Sequence, residues 1–139
     1  LVRHLPRPMR IEVLAVSSYP GKATTNQGTK VLYPSEFQVA GKHVLVIDDI
    51  LDSGKTLQYV TGLLQQSGAA SVKTCVLLRK KIAASRHFSA DFTGFDIPDE
   101  FVVGYGLDYN HYYRNLPDIA ILQPKIFSSE AASPITKMT

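Results

Sequence analysis

At 139 residues, with 45% hydrophobic and 19% charged side chains, the chain has enough apolar material for one globular domain with a single core. A net charge of only +3, on basic residues scattered along the sequence, is a weak nucleic-acid footprint, and a lone cysteine excludes a disulfide framework within the chain. There is no run of about 18 apolar residues and no secretory hydrophobic region, which argues against membrane insertion and secretion.

Taken in chain order, Leu1 to Leu5 reads as the last turns of a helix that Pro6 and Pro8 end, and the start at leucine predicts an incomplete N-terminus. Ile11 to Val16 is a short apolar run, predicted to be a buried strand. Ser17 to Lys30 is rich in Ser, Thr, Gly, Asn and Gln and has too little apolar surface to dock, so it is expected to be a mobile loop. Lys30 to Tyr33 has strand character, Pro34 and Ser35 break it, and Ala40-Gly41-Lys42 makes a tight turn into the next strand, suggesting a hairpin.

That next strand, Val44 to Ile47, is a continuous apolar run, as expected of a strand buried on both faces of a parallel sheet. Leu57, Val60, Leu63 and Leu64 recur at spacings of three and four, the apolar face of a helix that Gly68 can end in a left-handed cap. Strand Val72 to Leu78 follows and contains Cys75, expected to be a packed, reduced thiol. Strand, helix and strand within roughly 35 residues is the length of a crossover unit, so the two strands should be parallel neighbours. Beyond the basic cluster Arg79, Lys80 and Lys81 and a polar loop, further strands are predicted at Phe92 to Ile97, Phe101 to Tyr105 and Ile119 to Leu122, and the tail from Ser128 is polar.

Chemistry concentrates between His43 and Thr56. Asp48, Asp49 and Asp52 follow the apolar run, so they emerge at the carboxyl end of the strand, where ligand crevices of open α/β sheets lie. The small-residue turn Ser53-Gly54-Lys55-Thr56 leads into the helix, and its backbone N–H groups can converge on one anion. Gly54-Lys55-Thr56 looks like the tail of a P-loop, but that motif needs a glycine five positions before Gly54, where this chain has Asp49, a carboxylate that would repel a triphosphate. Asp52 also suits a helix N-cap.

This string resembles the phosphoribosyl-pyrophosphate (PRPP) motif of type I phosphoribosyltransferases. Pro98 to Leu116, which runs through Phe-Val-Val-Gly-Tyr-Gly-Leu-Asp-Tyr-Asn, resembles the nucleobase pocket of hypoxanthine-guanine phosphoribosyltransferases, and Ser17-Ser-Tyr19 resembles the start of their flexible catalytic loop. The three motifs stand in the right order, and the resemblance extends over about residues 1 to 127, leaving 128 to 139 as a tail. It implies an α/β fold of mostly parallel sheet flanked by helices, and transfer of a 5-phosphoribosyl group from PRPP to hypoxanthine or guanine, giving IMP or GMP and pyrophosphate.

By the same resemblance, Asp48 and Asp49 hold the ribose hydroxyls directly or through a metal-bound water, and Asp52 is the general base at purine N7. Ser53, Gly54, Lys55 and Thr56, with Asp52, bind the 5′-phosphate, the amides mattering more than the Lys55 charge. Lys80 donates to the purine O6, an acceptor that adenine lacks, and so encodes a preference for 6-oxopurines. Phe101 stacks on the base, Val102 meets its edge through the backbone, Asp108 binds magnesium through water, and Arg114 contacts pyrophosphate. Ser18 and Tyr19 close over the reaction. Mg2+ is the implied cofactor, with Asp108, Asp48 and Asp49 as candidate metal residues. A cytoplasmic homodimer or homotetramer is the implied assembly, with no nucleic-acid or membrane partner. His4, His43, His87 and His111 lack metal-ligand spacing and receive no role.

The pyrophosphate loop on the family's first core strand lies upstream of anything in this sequence, so that strand is expected to be missing and the sheet to show an exposed edge. Two rival functions remain open. One is a phosphoribosyltransferase for another base, such as xanthine or adenine; the other is a regulatory protein that senses PRPP on the same fold without catalysis.

Overall fold

A computed structural model describes residues 1–17, 30–32, 38–82 and 88–123. At its centre is a parallel sheet of three strands in the order β3-β4-β5: β3 (His43–Leu51), β4 (Ser71–Lys80) and β5 (Phe92–Ile97). Helix α1 (Lys55–Gln66) links β3 to β4, as the predicted crossover unit requires. Two small antiparallel pairs complete the described elements: β1 (Ala15–Ser17) with β2 (Lys30–Leu32), and β6 (Val102–Val103) with β7 (Ala120–Ile121).

The helix forms and stops where its residues dictate. Leu57, Val60 and Leu64 are buried on one face. At the far end the Gly68 N–H donates to the Gln65 carbonyl and the Ala69 N–H to the Leu64 carbonyl, while Gly68 sits at φ +82. This doubly bonded left-handed cap is the one that Gly68 suggests in the sequence. The buried helix face meets one side of the sheet in two clusters. Val60 and Leu64 join Val39, against Val44, Val46, Val72, Leu14 and Val16; Leu57 joins Leu51 and Val76, against Val46, Phe88 and Ala90. Val46 touches both, so the core is continuous beneath α1.

The other side of the sheet differs from expectation. Side chains of β3 alternate between partly buried and exposed, and Ile47 is 51% exposed. The register sets Ile47 beside Cys75 and Cys75 beside Phe92, which is 56% exposed, so an apolar row crosses all three strands without a covering layer among the described residues. Cys75 is a free thiol and only half-buried. Among the described residues the apolar run of β3 is thus covered on one face rather than two, because α1 lies against one face only.

Other expectations need correction at the N-terminal end. Val2–His4 is a single 3-10 turn with no buried residue. Strand character in the run from Ile11 is confined to Ala15–Ser17, and Ile11 and Val13 are exposed, since β2 supplies pairing partners only for the last three residues. The hairpin also differs: β2 pairs with β1 rather than with β3, and Ala40 bridges Ala69 beyond the end of α1. In the C-terminal half, β5 has the predicted bounds, while β6 and β7 are two residues each within the longer predicted runs. The expected mobile loop, Ser18, Tyr19 and the polar tail lie outside the described residues.

The junction of β4 and β5 shows how a side chain can stand in for a strand partner. Just before β5 begins, the Asp91 carboxylate accepts from the Thr74 N–H at 2.8 Å and from Lys73 Nζ at 2.7 Å. The Lys73 hydrogen bond, then that from the Thr74 amide, hold the Asp91 carboxyl down to about 2.

Candidate active site

Three parallel strands that end together bring their following residues together. Leu51 pairs with Arg79 and Lys80 pairs with Ile97, so Asp52 beyond β3, Lys80 at the end of β4, and Asp99 beyond β5 become neighbours. Lys80 Nζ lies 3.7 Å from Asp52 Oδ2 and 3.3 Å from Asp99 Oδ1, with its side chain only 12% exposed. The flanking basic residues face elsewhere: Arg79 and Lys81 both pair with Asp96.

These strand ends form one wall of a cleft of about 270 Å³. It is lined by Asp49, Ile50, Asp52 and Lys80 from the strand ends and by Phe101, Val102, Leu107 and Asp108 from the segment that follows β5. Six of the residues singled out in the sequence therefore share one space. The Phe101 ring is exposed and is braced edge-on by Tyr109, with ring centroids 5.7 Å apart and planes at 86°. An exposed ring held by an aromatic neighbour suits stacking of a flat ligand.

The loop from Gly104 to Leu116 that carries Asp108 is held in an uncommon conformation. Tyr105, Asn110, His111 and Tyr113 have φ of +54, +50, +69 and +75, a region that non-glycine residues occupy at a cost. Cross-links within the loop fix it: the Tyr105 N–H donates to the Leu116 carbonyl, and the Gly106 N–H to the Arg114 carbonyl. Arg114 adds a side-chain clamp, donating from Nη1 to the Gly106 carbonyl at 2.6 Å and pairing from Nη2 with Asp108 at 2.7 Å. Arg114 is not among the residues lining the cleft; it grips Asp108 from behind.

Asp48 is likewise absent from the cleft wall. Strand β3 runs on to Leu51, so the acidic pair lies within the strand rather than past its end, and successive side chains take opposite faces. Burial first, and then the neighbouring Asp49 charge, push the Asp48 carboxyl up to about 6. A raised carboxyl favours the fold while protonated, and that contribution is lost as pH rises through about 6. Asp48→Asn, which cannot ionise, is therefore expected to stabilise the ligand-free protein at pH 8 by about 1–2 kcal/mol relative to the parent, and to lose that advantage near pH 4. Thermal midpoints of both proteins across this range check it, and a difference independent of pH contradicts it.

The turn Ser53-Gly54-Lys55-Thr56 directly follows Asp52 and sits beside the cleft rather than in its wall. Gly54 is the N-cap of α1, at φ +78, and no side chain caps the helix. Asp52 thus does not serve as the cap, and its carboxylate is turned instead toward Lys80. The opening N–H groups of a helix lack intrahelical acceptors, and the helix dipole adds partial positive charge at the same point, so the turn offers an anion site next to the acidic wall. Sequence reasoning missed Asp99, Tyr109, Ile50 and Leu107. Only Asp99 carried a signal, two positions before the aromatic residue of the base pocket.

The phosphoribosyl transferase domain profile matches residues 1–110. A hypoxanthine-guanine phosphoribosyltransferase of Bacillus subtilis is 40% identical over 129 residues, which are 93% of this chain and 72% of that protein. The structure of a hypoxanthine phosphoribosyltransferase from Staphylococcus aureus superposes with a TM-score of 0.82 at 38% identity, over 92% of this chain and 70% of that one. A Trypanosoma cruzi hypoxanthine phosphoribosyltransferase, a lysine-to-arginine mutant in a ternary substrates complex, gives a TM-score of 0.77 at 40% identity, over 87% of this chain but 65% of that one. On the cleft, the parallel sheet beneath it and these likenesses together, the chain belongs to the hypoxanthine-guanine phosphoribosyltransferases, within the phosphoribosyl transferase domain family.

Proposed function

We propose that this protein performs purine salvage, transferring the 5-phosphoribosyl group of PRPP to N9 of hypoxanthine or guanine, with release of pyrophosphate. The observation that carries this reading is the nearly buried Lys80 ammonium beside Asp52, lining the same cleft as the exposed aromatic ring of Phe101. An ammonium donates and cannot accept, so it rewards a 6-oxo group and leaves a 6-amino group unpaired.

The residues divide the work as follows. Phe101 stacks on the base, and the Val102 backbone meets its edge. The amides of Ser53, Gly54, Lys55 and Thr56 hold the 5′-phosphate, with the Thr56 hydroxyl in support. Asp49 on the cleft wall, with Asp48 behind it, faces the ribose, where a carboxylate favours the positive charge that builds as pyrophosphate departs. Asp52 takes the N7 proton as N9 bonds to the ribose carbon. Arg114 reaches pyrophosphate by releasing its hold on Asp108, and Ser18 and Tyr19 exclude water when their loop closes.

Among the described residues no three His, Cys, Asp or Glu side chains converge on one point, so those residues offer no all-protein metal cage. Asp49 and Asp108 do present hard oxygen donors within one cleft, the partial set that Mg2+ uses when substrate oxygens and water complete its shell. When bound, Mg2+ neutralises the leaving pyrophosphate. A cytoplasmic homodimer or homotetramer belongs to the same proposal, and sedimentation of the protein tests the assembly.

Incubation with PRPP, Mg2+ and each of hypoxanthine, guanine, xanthine and adenine tests the function. Formation of IMP and GMP with matching pyrophosphate, and little product from adenine, is expected. Equal use of adenine or xanthine overturns the base assignment. PRPP binding without purine-dependent pyrophosphate release favours the regulatory alternative.

A further inference from the structure

We propose that Asp99 is a positioning residue for base selection, anchoring the Lys80 ammonium so that one of its donors faces the purine 6-oxo group. This rests on the purine reading above and adds a residue to it. Two carboxylates reach Lys80 Nζ from opposite sides of β4: Asp52 at 3.7 Å from beyond β3, and Asp99 at 3.3 Å from beyond β5. Asp99 is within hydrogen-bond reach, whereas Asp52 at 3.7 Å adds electrostatic attraction only, so it is Asp99 that fixes one N–H of the tetrahedral ammonium and thereby limits where the others point.

The two anchors are not equivalent. Asp52 is engaged with the purine N7 during the reaction, so its carboxylate is shared between the base and Lys80 at the moment when the direction of that ammonium matters. Asp99 has no such task. Its distance from Lys80 is set by the backbone, since the Lys81 N–H donates to the Ile97 carbonyl at 3.0 Å, and the Glu100 N–H closes a tight turn onto the Pro98 carbonyl at 2.9 Å. Pro98 adds a fixed φ to that turn.

A purely structural role for the pair is disfavoured by exposure. The Asp99 side chain is 66% exposed, and an ion pair so open to water contributes little to folding. Its effect falls on where the Lys80 head points. Without Asp99 the ammonium moves toward Asp52, away from the position from which it meets O6.

The test compares equilibrium binding of IMP with that of purine riboside 5′-monophosphate, the same nucleotide without the 6-oxo group, to the parent protein and to Asp99→Ala and Asp99→Glu. The parent should prefer IMP. Asp99→Ala should weaken IMP roughly tenfold, leave the nucleotide lacking O6 unchanged and keep the thermal midpoint, while Asp99→Glu restores most of the IMP affinity. Equal weakening of both nucleotides, or unchanged IMP binding, overturns the role of Asp99 while the purine reading stands. A parent protein that does not distinguish the two nucleotides overturns that reading and this inference together.

Discussion

Replacing Gly54 by alanine should damage both the fold and PRPP binding. The backbone at Gly54 has φ +78, which costs an L-residue roughly 1–2 kcal/mol. The added carbon would also lie 2.6 Å from Phe88 Cβ and 3.4 Å from Leu51 Cδ1. Phe88 Cβ is anchored to its own backbone and cannot swing aside, and Phe88 packs on the buried cluster of Leu51, Leu57 and Val76. Overpacking of that kind typically adds about 1–3 kcal/mol. Together these put the loss at about 2–5 kcal/mol, a fall in thermal midpoint on the order of 10 °C. Function suffers through the same displacement, because the amides at the opening of α1 must point at one phosphate. The KM for PRPP should rise on the order of tenfold or more, since several such hydrogen bonds are misaimed at once. Gly62→Ala is the control: it lies within α1, a methyl there meets nothing within 4 Å, and alanine should add up to about 1 kcal/mol of stability without changing KM. An Asp or Glu placed at position 54 would fare worse still, adding charge repulsion to the strain. If Gly54→Ala melts with the parent and keeps its KM, the turn is not the phosphate cradle.

Much of this site is legible in the sequence because local chemistry and topology point the same way. The run from His43 to Thr56 encodes strand, acidic wall and helix opening in consecutive residues, and the spacing to Cys75 fixes β4 as the parallel neighbour of β3. That adjacency alone places Lys80 beside Asp52. The misreadings have a common cause, which is that a residue's side chain says what it can bury or bond but not which partner arrives. The apolar run Val44 to Ile47 is compatible with cover on both faces, yet α1 supplies it on one. Asp52 has the chemistry of a helix cap, but Gly54 occupies that position and Lys80 competes successfully for the carboxylate. Asp48 and Asp49 look like one pair in the sequence, and the alternation of a strand that continues to Leu51 separates them. Arg114 and Asp108 are six residues apart, with no helical or strand spacing to pair them; only the left-handed turns at Asn110, His111 and Tyr113 bring them together.

Asp52→Asn should lower kcat by about 10²–10⁴-fold and leave the fold nearly unchanged. The amide has the shape of the carboxylate and can still accept one hydrogen bond, but it cannot take a proton from N7, so the cost falls on the transition state rather than on the folded protein. Stability should be almost indifferent, because the pair with Lys80 at 3.7 Å is long and Asp52 does not cap α1. A thermal midpoint within about 2 °C of the parent is expected, against the loss of about 0.5–2 kcal/mol that removal of a helix cap produces. The KM for PRPP should hold, since the phosphate is gripped by amides that the substitution does not touch. The reverse reaction adds a sharper constraint. Forward and reverse directions share one transition state and one overall equilibrium constant, so pyrophosphorolysis of IMP must lose kcat/KM by the same factor as IMP synthesis. A variant that melts well below the parent with kcat little changed would make Asp52 a structural residue. One that loses kcat in both directions at an unchanged midpoint identifies it as the group that moves the purine proton.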